Sequence, residues 1–254
     1  MTNHKQMIKF FRKIRQKMLS ENKFSKYLIY AIGEIILVVI GILIAISINN
    51  WNQLKANQNL EIKILNELSQ NLKVDLEEIK FDISLMDSTR SSYNQIIKDL
   101  KLVTFPTEKF YNNLSWLKVV PHFDPNKSGY EFLKTKGVDV IKNDSLRTTI
   151  SNHYELNYPY YNKYEKERVE FKIHQVNPYL IEYFKWLDHP DYSITGVFEI
   201  TNQDYLKVRN NGSLEKVVMA SAWENDLMNS RARRLAKQIE DIIGFINEEL
   251  ETKK

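Results

Sequence analysis

Cysteine is absent from this 254-residue chain, which excludes disulfides, thiolate metal sites, cysteine nucleophiles and an acylated lipoprotein anchor. Glycine and proline are scarce, at seven and six residues, and this argues for long uninterrupted elements over many tight turns. The glycines, at 33, 41, 129, 137, 196, 212 and 244, form neither a dinucleotide fingerprint nor a phosphate loop, and none flanks a serine as in a nucleophile elbow. His4, His122, His153, His174 and His189 include no pair four apart and none with a glutamate three positions earlier. Zincin and di-iron bundle signatures are therefore missing, and no cofactor or metal is expected. A basic excess is missing too once the first residues are set aside. Residues 1–29 carry eight basic side chains and one acidic, whereas the 28 basic and 30 acidic residues beyond Glu34 nearly balance. The net charge of +4 belongs to the leader, and no basic stripe points to nucleic acid as a partner.

What the chain does have is one long hydrophobic run. Residues 28–48 contain a single charged side chain, Glu34. As a helix the run would be about 31 Å long, close to the roughly 30 Å hydrocarbon thickness of a bilayer, which becomes the first expected partner. Tyr27 and Tyr30 at one end and Trp51 at the other are of the type that anchors at headgroup depth. Basic residues crowd before the run and are sparse after it, so the N-terminus is expected in the cytoplasm and the rest of the chain across the membrane. A cleaved signal peptide is the rival reading, because Ala45-Ile46-Ser47 has the small-x-small form of a cleavage site. Such peptides have shorter apolar cores, roughly 7 to 15 residues. Upstream, Met7, Phe10, Phe11, Ile14 and Met18 recur at helical spacing among lysines and arginines, the pattern of a basic amphipathic leader; the alternative is a disordered basic tail that only sets topology.

The fold class expected is mainly α. Residues 1–26 read as the leader, 27–50 as a transmembrane helix, 51–104 as a long stalk helix and 105–254 as a helical domain packing on the stalk. Leu65, Leu68, Leu72, Leu76, Ile79, Ile83 and Met86, extended by Tyr93, Ile97 and Leu100, make one apolar stripe along the stalk. Asp75, Glu78 and Asp82 share another face, expected to be solvated. Ser128 to Gly137 reads as a short helix with a capping glycine, and Asn143 or Asp144 as the cap of the next one. That helix is expected to pause at Tyr158-Pro159 and resume to Gln175. Ser213 is expected to cap a final helix with its own stripe, Val217, Val218, Ala222, Leu227, Ala232, Leu235, Ile239, Ile242, Ile243, Ile246 and Leu250. Matching stripes suggest an antiparallel helical bundle.

Two stretches carry a family resemblance. Residues 7–16 (MIKFFRKIRQ) and 26–52 (KYLIYAIGEIILVVIGILIAISINNWN), with Gly33-Glu34 and Ile48-Asn49-Asn50-Trp51-Asn52 as the most specific parts, are similar to a single-span family of flavobacteria and their relatives within the Bacteroidota, domain of unknown function 6090. Tyr130, Leu133, Gly137, Ile141, Leu146, Arg147 and Ile150 also resemble it. The resemblance implies a place, the Gram-negative inner membrane with the C-terminal domain in the periplasm, and no reaction.

Glu34 is the sharpest residue, because a carboxyl within an apolar helix is costly unless protonated, paired or near the surface. On a helical wheel it shares a face with Ala31, Val38, Gly41 and Ala45, and Gly41-x-x-x-Ala45 is a small-xxx-small pattern that lets helices approach closely. This face is expected to pack on a second copy or on a partner membrane helix; the alternative is that Glu34 snorkels to the headgroups. Tyr154, Tyr158 and Tyr161, with Trp186, could line a ligand groove or simply pack around a kinked helix. Arg231, Arg233 and Arg234 suit an anionic partner or a solvated face. The leading functional reading is a membrane-anchored, non-enzymatic interaction or scaffold protein. A sensor-like bundle that binds a small ligand comes second, and an envelope enzyme with an unrecognised site third.

Overall fold

A computed structural model describes residues 12, 13, 16, 24–102, 105–187 and 198–253. The amphipathic leader, apart from residues 12, 13, 16 and 24–26, lies outside the described residues. The chain is mainly helical and divides into two compact units, Met1–Asn59 and Leu60–Lys254. Helix α1, Phe24–Leu102, runs 79 residues without a break.

In the first unit, α1 carries the apolar run, and this is the one helix among the described residues long and apolar enough to cross a membrane. Its best 18-residue window has a mean hydropathy of 2.8, with none of that window buried. Ile29, Leu37 and Trp51 are exposed, and the Lys55 ammonium sits 5.4 Å from the Trp51 ring centre. Tyr30, Ala31 and Glu34 are half-buried, whereas Val38, Gly41 and Ala45 are exposed.

The second unit begins on the same helix with a different pattern. Glu61, Leu65, Leu68, Leu72, Asp75, Ile79, Asp82, Met86, Thr89, Tyr93, Ile96 and Leu100 are all buried and alternate steps of four and three residues. That is a heptad repeat, the spacing that keeps one seam of a helix facing its neighbours. One of its two core positions is apolar throughout, and the other holds Glu61, Asp75, Asp82 and Thr89. Asp75 and Asp82 are thus buried, not on a solvated face as expected from their charge.

Between residues 105 and 142 the chain is mostly short turns. α2 (Glu108–Leu114) is capped by the Thr107 hydroxyl and leads into a 3₁₀ turn, Ser115–Lys118. Residues 119–127, with Pro121 and Pro125, have no regular structure. α3 (Ser128–Lys136) ends at Gly137, which takes a φ of 90° that other residues rarely adopt. Gly129 lets α3 approach α1: a Cβ there would lie 3.1 Å from Asn71 Nδ2 and 3.4 Å from Leu68 Cδ2.

α4 (Asp144–Asn152) is capped by the Asn143 side chain, which accepts from the Leu146 N–H, as the sequence suggested. The expected pause at Tyr158-Pro159 does not occur. A π turn, His153–Asn157, joins α4 to α5 (Tyr158–Phe171), and a second, Lys172–Val176, joins α5 to α6 (Asn177–Tyr183). Each π turn precedes a helix with proline in its first positions, Pro159 or Pro178. The wider turn accommodates a residue that lacks an N–H and would otherwise clash with the preceding turn. Two-residue strands β1 (Lys185–Trp186) and β2 (Phe198–Glu199) pair antiparallel, followed by α7 (Asn202–Asn210).

The last helix, α8 (Ser213–Glu251), starts one residue beyond its cap. Ser213 was expected as the cap. Gly212, at φ 69°, takes that place, and the Ser213 hydroxyl lies 3.0 Å from the Tyr179 hydroxyl. Buried Leu214, Val218, Ser221, Asn225, Met228, Ala232, Leu235, Ile239, Ile242 and Ile246 repeat the four-three spacing. α8 runs antiparallel to the second-unit part of α1. Lys253 pairs with Glu61, Glu240 with Lys80, Arg233 with Asp87 and Asp226 with Arg90, so one chain number falls as the other rises. Two apolar clusters fill the unit, one around Leu68, Leu72, Tyr158 and Ile239, the other around Tyr93, Phe110, Leu180, Tyr205 and Val218.

Candidate functional site

Charged side chains are rarely buried without a partner, so the polar seam between α1 and α5 comes first. Glu165, Arg168 and Lys172 are each 3–6 % exposed and face the irregular segment before α3. Glu165 accepts the Phe123 N–H at 2.9 Å and lies 3.1 Å from His122 Nδ1. Arg168 donates to the Pro121 carbonyl. Lys172 donates to the Leu117 carbonyl at 2.6 Å and to the Tyr93 hydroxyl at 3.0 Å. From α1, Asp75 accepts the Asn126 N–H at 2.9 Å and the Tyr158 hydroxyl at 2.5 Å, Glu78 accepts the Asp124 N–H and Glu61 the Lys142 N–H. These groups replace the hydrogen bonds that a helix or sheet would give residues 117–126 and Lys142. The buried charges clamp a loop.

Burial shifts several of these groups. It raises the Asp75 and Glu165 carboxyls and lowers the Arg168 guanidinium. Asp82 is pushed up to about 6 by burial and then by the charges of Glu165 and Glu78, and among the described residues its Oδ2 finds no hydrogen-bond partner. Lys172 is pushed down to about 7 by burial and then by Arg168. His153, wholly buried against the Tyr158 ring at 4.2 Å, is pushed down to about 4 by burial.

The residues expected to form a tyrosine groove take other places. Tyr154, Tyr158 and Tyr161 are buried in the first apolar cluster, where Tyr154 stacks on Tyr130 at 4.5 Å and Tyr158 and Tyr161 flank Phe123. Trp186 packs instead on Phe198, with the Lys118 ammonium 3.6 Å from its ring centre.

Two open depressions remain on this side of the unit. One, about 580 Å³, is lined by His122, Asn162, Glu165, Lys166, Val169 and Glu170. The other, about 300 Å³, lies between α5 and α8, lined by Asn157, Tyr160, Tyr161, Arg231, Arg234 and Gln238. In this second cleft the Arg231 guanidinium stacks 3.8 Å from the centre of the Tyr164 ring, which packs edge-on against Tyr160 at 4.8 Å. Neighbouring Arg233 turns the other way and forms an ion pair with Asp87 at 2.6 Å. Among the described residues, Arg231 and Arg234 have no carboxylate within ion-pair distance. Hydrogen bonds from Tyr164 and Arg231, then the charges of Arg231 and Arg234, hold the Tyr160 phenol below its usual range.

A family of unknown function, DUF6090, matches residues 34–208. The chain belongs to DUF6090. The match begins at Glu34 and includes the Ile48–Asn52 motif, the residues from Tyr130 to Ile150 that carried the resemblance, and α5 with its share of the seam. It stops before α8, so the two cleft arginines lie outside the stretch common to DUF6090. No curated protein and no solved structure matches this DUF6090 chain.

Proposed function

We propose that this protein is a single-span membrane protein whose helical unit acts by contact with partners: residues 28–48 cross the inner membrane, the leader lies in the cytoplasm and the bundle in the periplasm. The observation that carries the reading is the exposure of the apolar run: Ile29 is 71 % and Leu37 70 % exposed, and the isoleucine, leucine and valine side chains from Ile32 to Ile48 are all at least 45 % exposed. Each such side chain gains about 1.5–3 kcal/mol on leaving water. A bilayer offers that gain to all of them at once. The basic leader supplies the direction.

The contact is proposed to include the span itself. Ala31, Glu34, Val38, Gly41 and Ala45 share one face, and a Cβ added at Gly41 would meet nothing within 4 Å, so the helix offers a flat surface there. The absence of native cysteine makes the test clean. Cysteines introduced at positions 3 and 250 should differ in labelling by an impermeant maleimide in intact spheroplasts, the second reacting and the first not; release of the protein by alkaline carbonate would remove the reading. Cysteines at 34, 38 and 41 should crosslink more than those at 36 and 43, and uniform crosslinking would remove the proposed face. A second reading, a bundle that binds a small ligand, is favoured by the cleft between α5 and α8.

A further inference from the structure

We propose that the cleft between α5 and α8 binds a small ligand through a doubly charged oxyanion group, a phosphate or a pair of carboxylates. This deepens the ligand-binding reading above and rests on it. Arg231 and Arg234 stand three apart on α8 and so share one face, and both line the cleft. Most other cations on this part of the unit are neutralised: Arg233 by Asp87, Arg90 by Asp226, Lys237 by Asp241 and Lys80 by Glu240. The charge in the cleft is therefore a local excess.

One of the two guanidiniums, that of Arg231, is held by a contact, whereas Arg234 is exposed. The Arg231 guanidinium carbon sits over the Tyr164 ring, 3.8 Å from its centre, and this contact leaves its fork of N–H donors less rotamer freedom to lose on binding. Planar forks of this kind match the two oxygens of a carboxylate or phosphate. Asn157, Gln238 and the Tyr160 hydroxyl add neutral donors around the same space, and the Tyr161 ring closes its apolar side. A cavity of about 300 Å³ is at the small end of ligand sites, suited to a ligand of modest size.

The test is calorimetric titration of the full-length protein in detergent micelles with inorganic phosphate, with glutarate and with uncharged glutaramide. At least one anion should bind, the tighter of the two naming the source of the oxyanion, and glutaramide should bind at least about tenfold more weakly. Arg231→Gln and Arg234→Gln should each weaken anion binding by about tenfold or more. Arg231→Lys should weaken it too, because a lysine neither stacks nor forks. Arg233→Gln, which removes the same charge one residue away from the cleft, should change it by less than about twofold, and unfolding midpoints of the variants check that the fold is kept. Equal losses in Arg233→Gln and Arg234→Gln would reduce the effect to net charge and overturn the inference. Glutaramide binding as tightly as glutarate would leave a ligand cleft but overturn its oxyanion chemistry, and no binding of any probe would overturn both.

Discussion

The apolar run of α1 and the helical unit that follows are opposites in what they show and what they hide. The run displays isoleucine, leucine and valine on every side, whereas the unit buries Asp75, Asp82, Glu165, Arg168 and Lys172 among its core side chains. Each pattern is costly in a different solvent. Exposed aliphatic side chains are unfavourable in water and buried charges are unfavourable without hydrogen bonds. The unit answers most of its own cost by aiming Asp75, Glu165, Arg168 and Lys172 at the backbone of residues 117–126, and Asp82 by holding its proton more tightly. Among the described residues the run has no such internal answer.

The comparison is tested most strongly by removing the same side chain from each region. Leu72→Ala, in the fully buried seam, should lower the stability of the helical unit by about 2–5 kcal/mol. Leu37→Ala, in the exposed run, should leave it unchanged, as read from thermal unfolding in detergent. A comparable loss at Leu37 would mean that the run is packed against protein.

Next come the buried titratable groups. The folded carboxyl of Asp82 titrates near 6, above its ordinary value of 3.8, so the folded state holds the proton more tightly. Its contribution is complete below about pH 4 and is lost as pH rises through 6, about 3 kcal/mol in all. Asp82→Asn should gain on the wild type over that interval. His153 has the opposite sign. Its folded value, about 4, lies below 6.5, so stability is full above pH 6.5 and falls by about 3 kcal/mol as pH drops to 4. His153→Gln should therefore gain on the wild type as the solution is acidified. Parallel pH profiles for either variant and the wild type would show that the group is not buried as described.

The smallest effect belongs to the surface. Asp87→Asn removes the charge from the exposed Arg233 pair while its amide oxygen can still accept from Asn229, and should cost less than about 1 kcal/mol in thermal unfolding. A larger loss would make the outer charges part of the fold in the way the inner ones are.

Legibility in the sequence follows the same division. The apolar run, the caps at Asn143 and Gly137, and the stripes of α1 and α8 could be read because hydrophobic periodicity and cap chemistry are local. The polar seam could not, since Asp75 and Asp82 look like a solvated face until residues 117–142 are placed against them. A signal was nevertheless present. Glu61, Asp75 and Asp82 are separated by multiples of seven, and Tyr158, Glu165 and Lys172 by sevens as well, the same period as the apolar positions beside them. The cleft was legible only as three arginines. Sorting Arg231 and Arg234 from Arg233 needed the position of Asp87 on another helix, and the tyrosines that matter, Tyr160 and Tyr164, are set by a π turn that no propensity scale flags.

Those π turns make the spacing of residues between 144 and 183 a fixed quantity. Each turn holds one residue more than an α-helical path would need. Deleting one residue from α4 while the wide turn is kept would rotate everything after it by about 100° relative to α1. Tyr158 would swing away from Asp75, Glu165 from Phe123, and Tyr160 from the arginines. Along this stretch insertions and deletions should be tolerated less well than almost any single substitution, so chain length here is as much a part of the encoded information as residue identity.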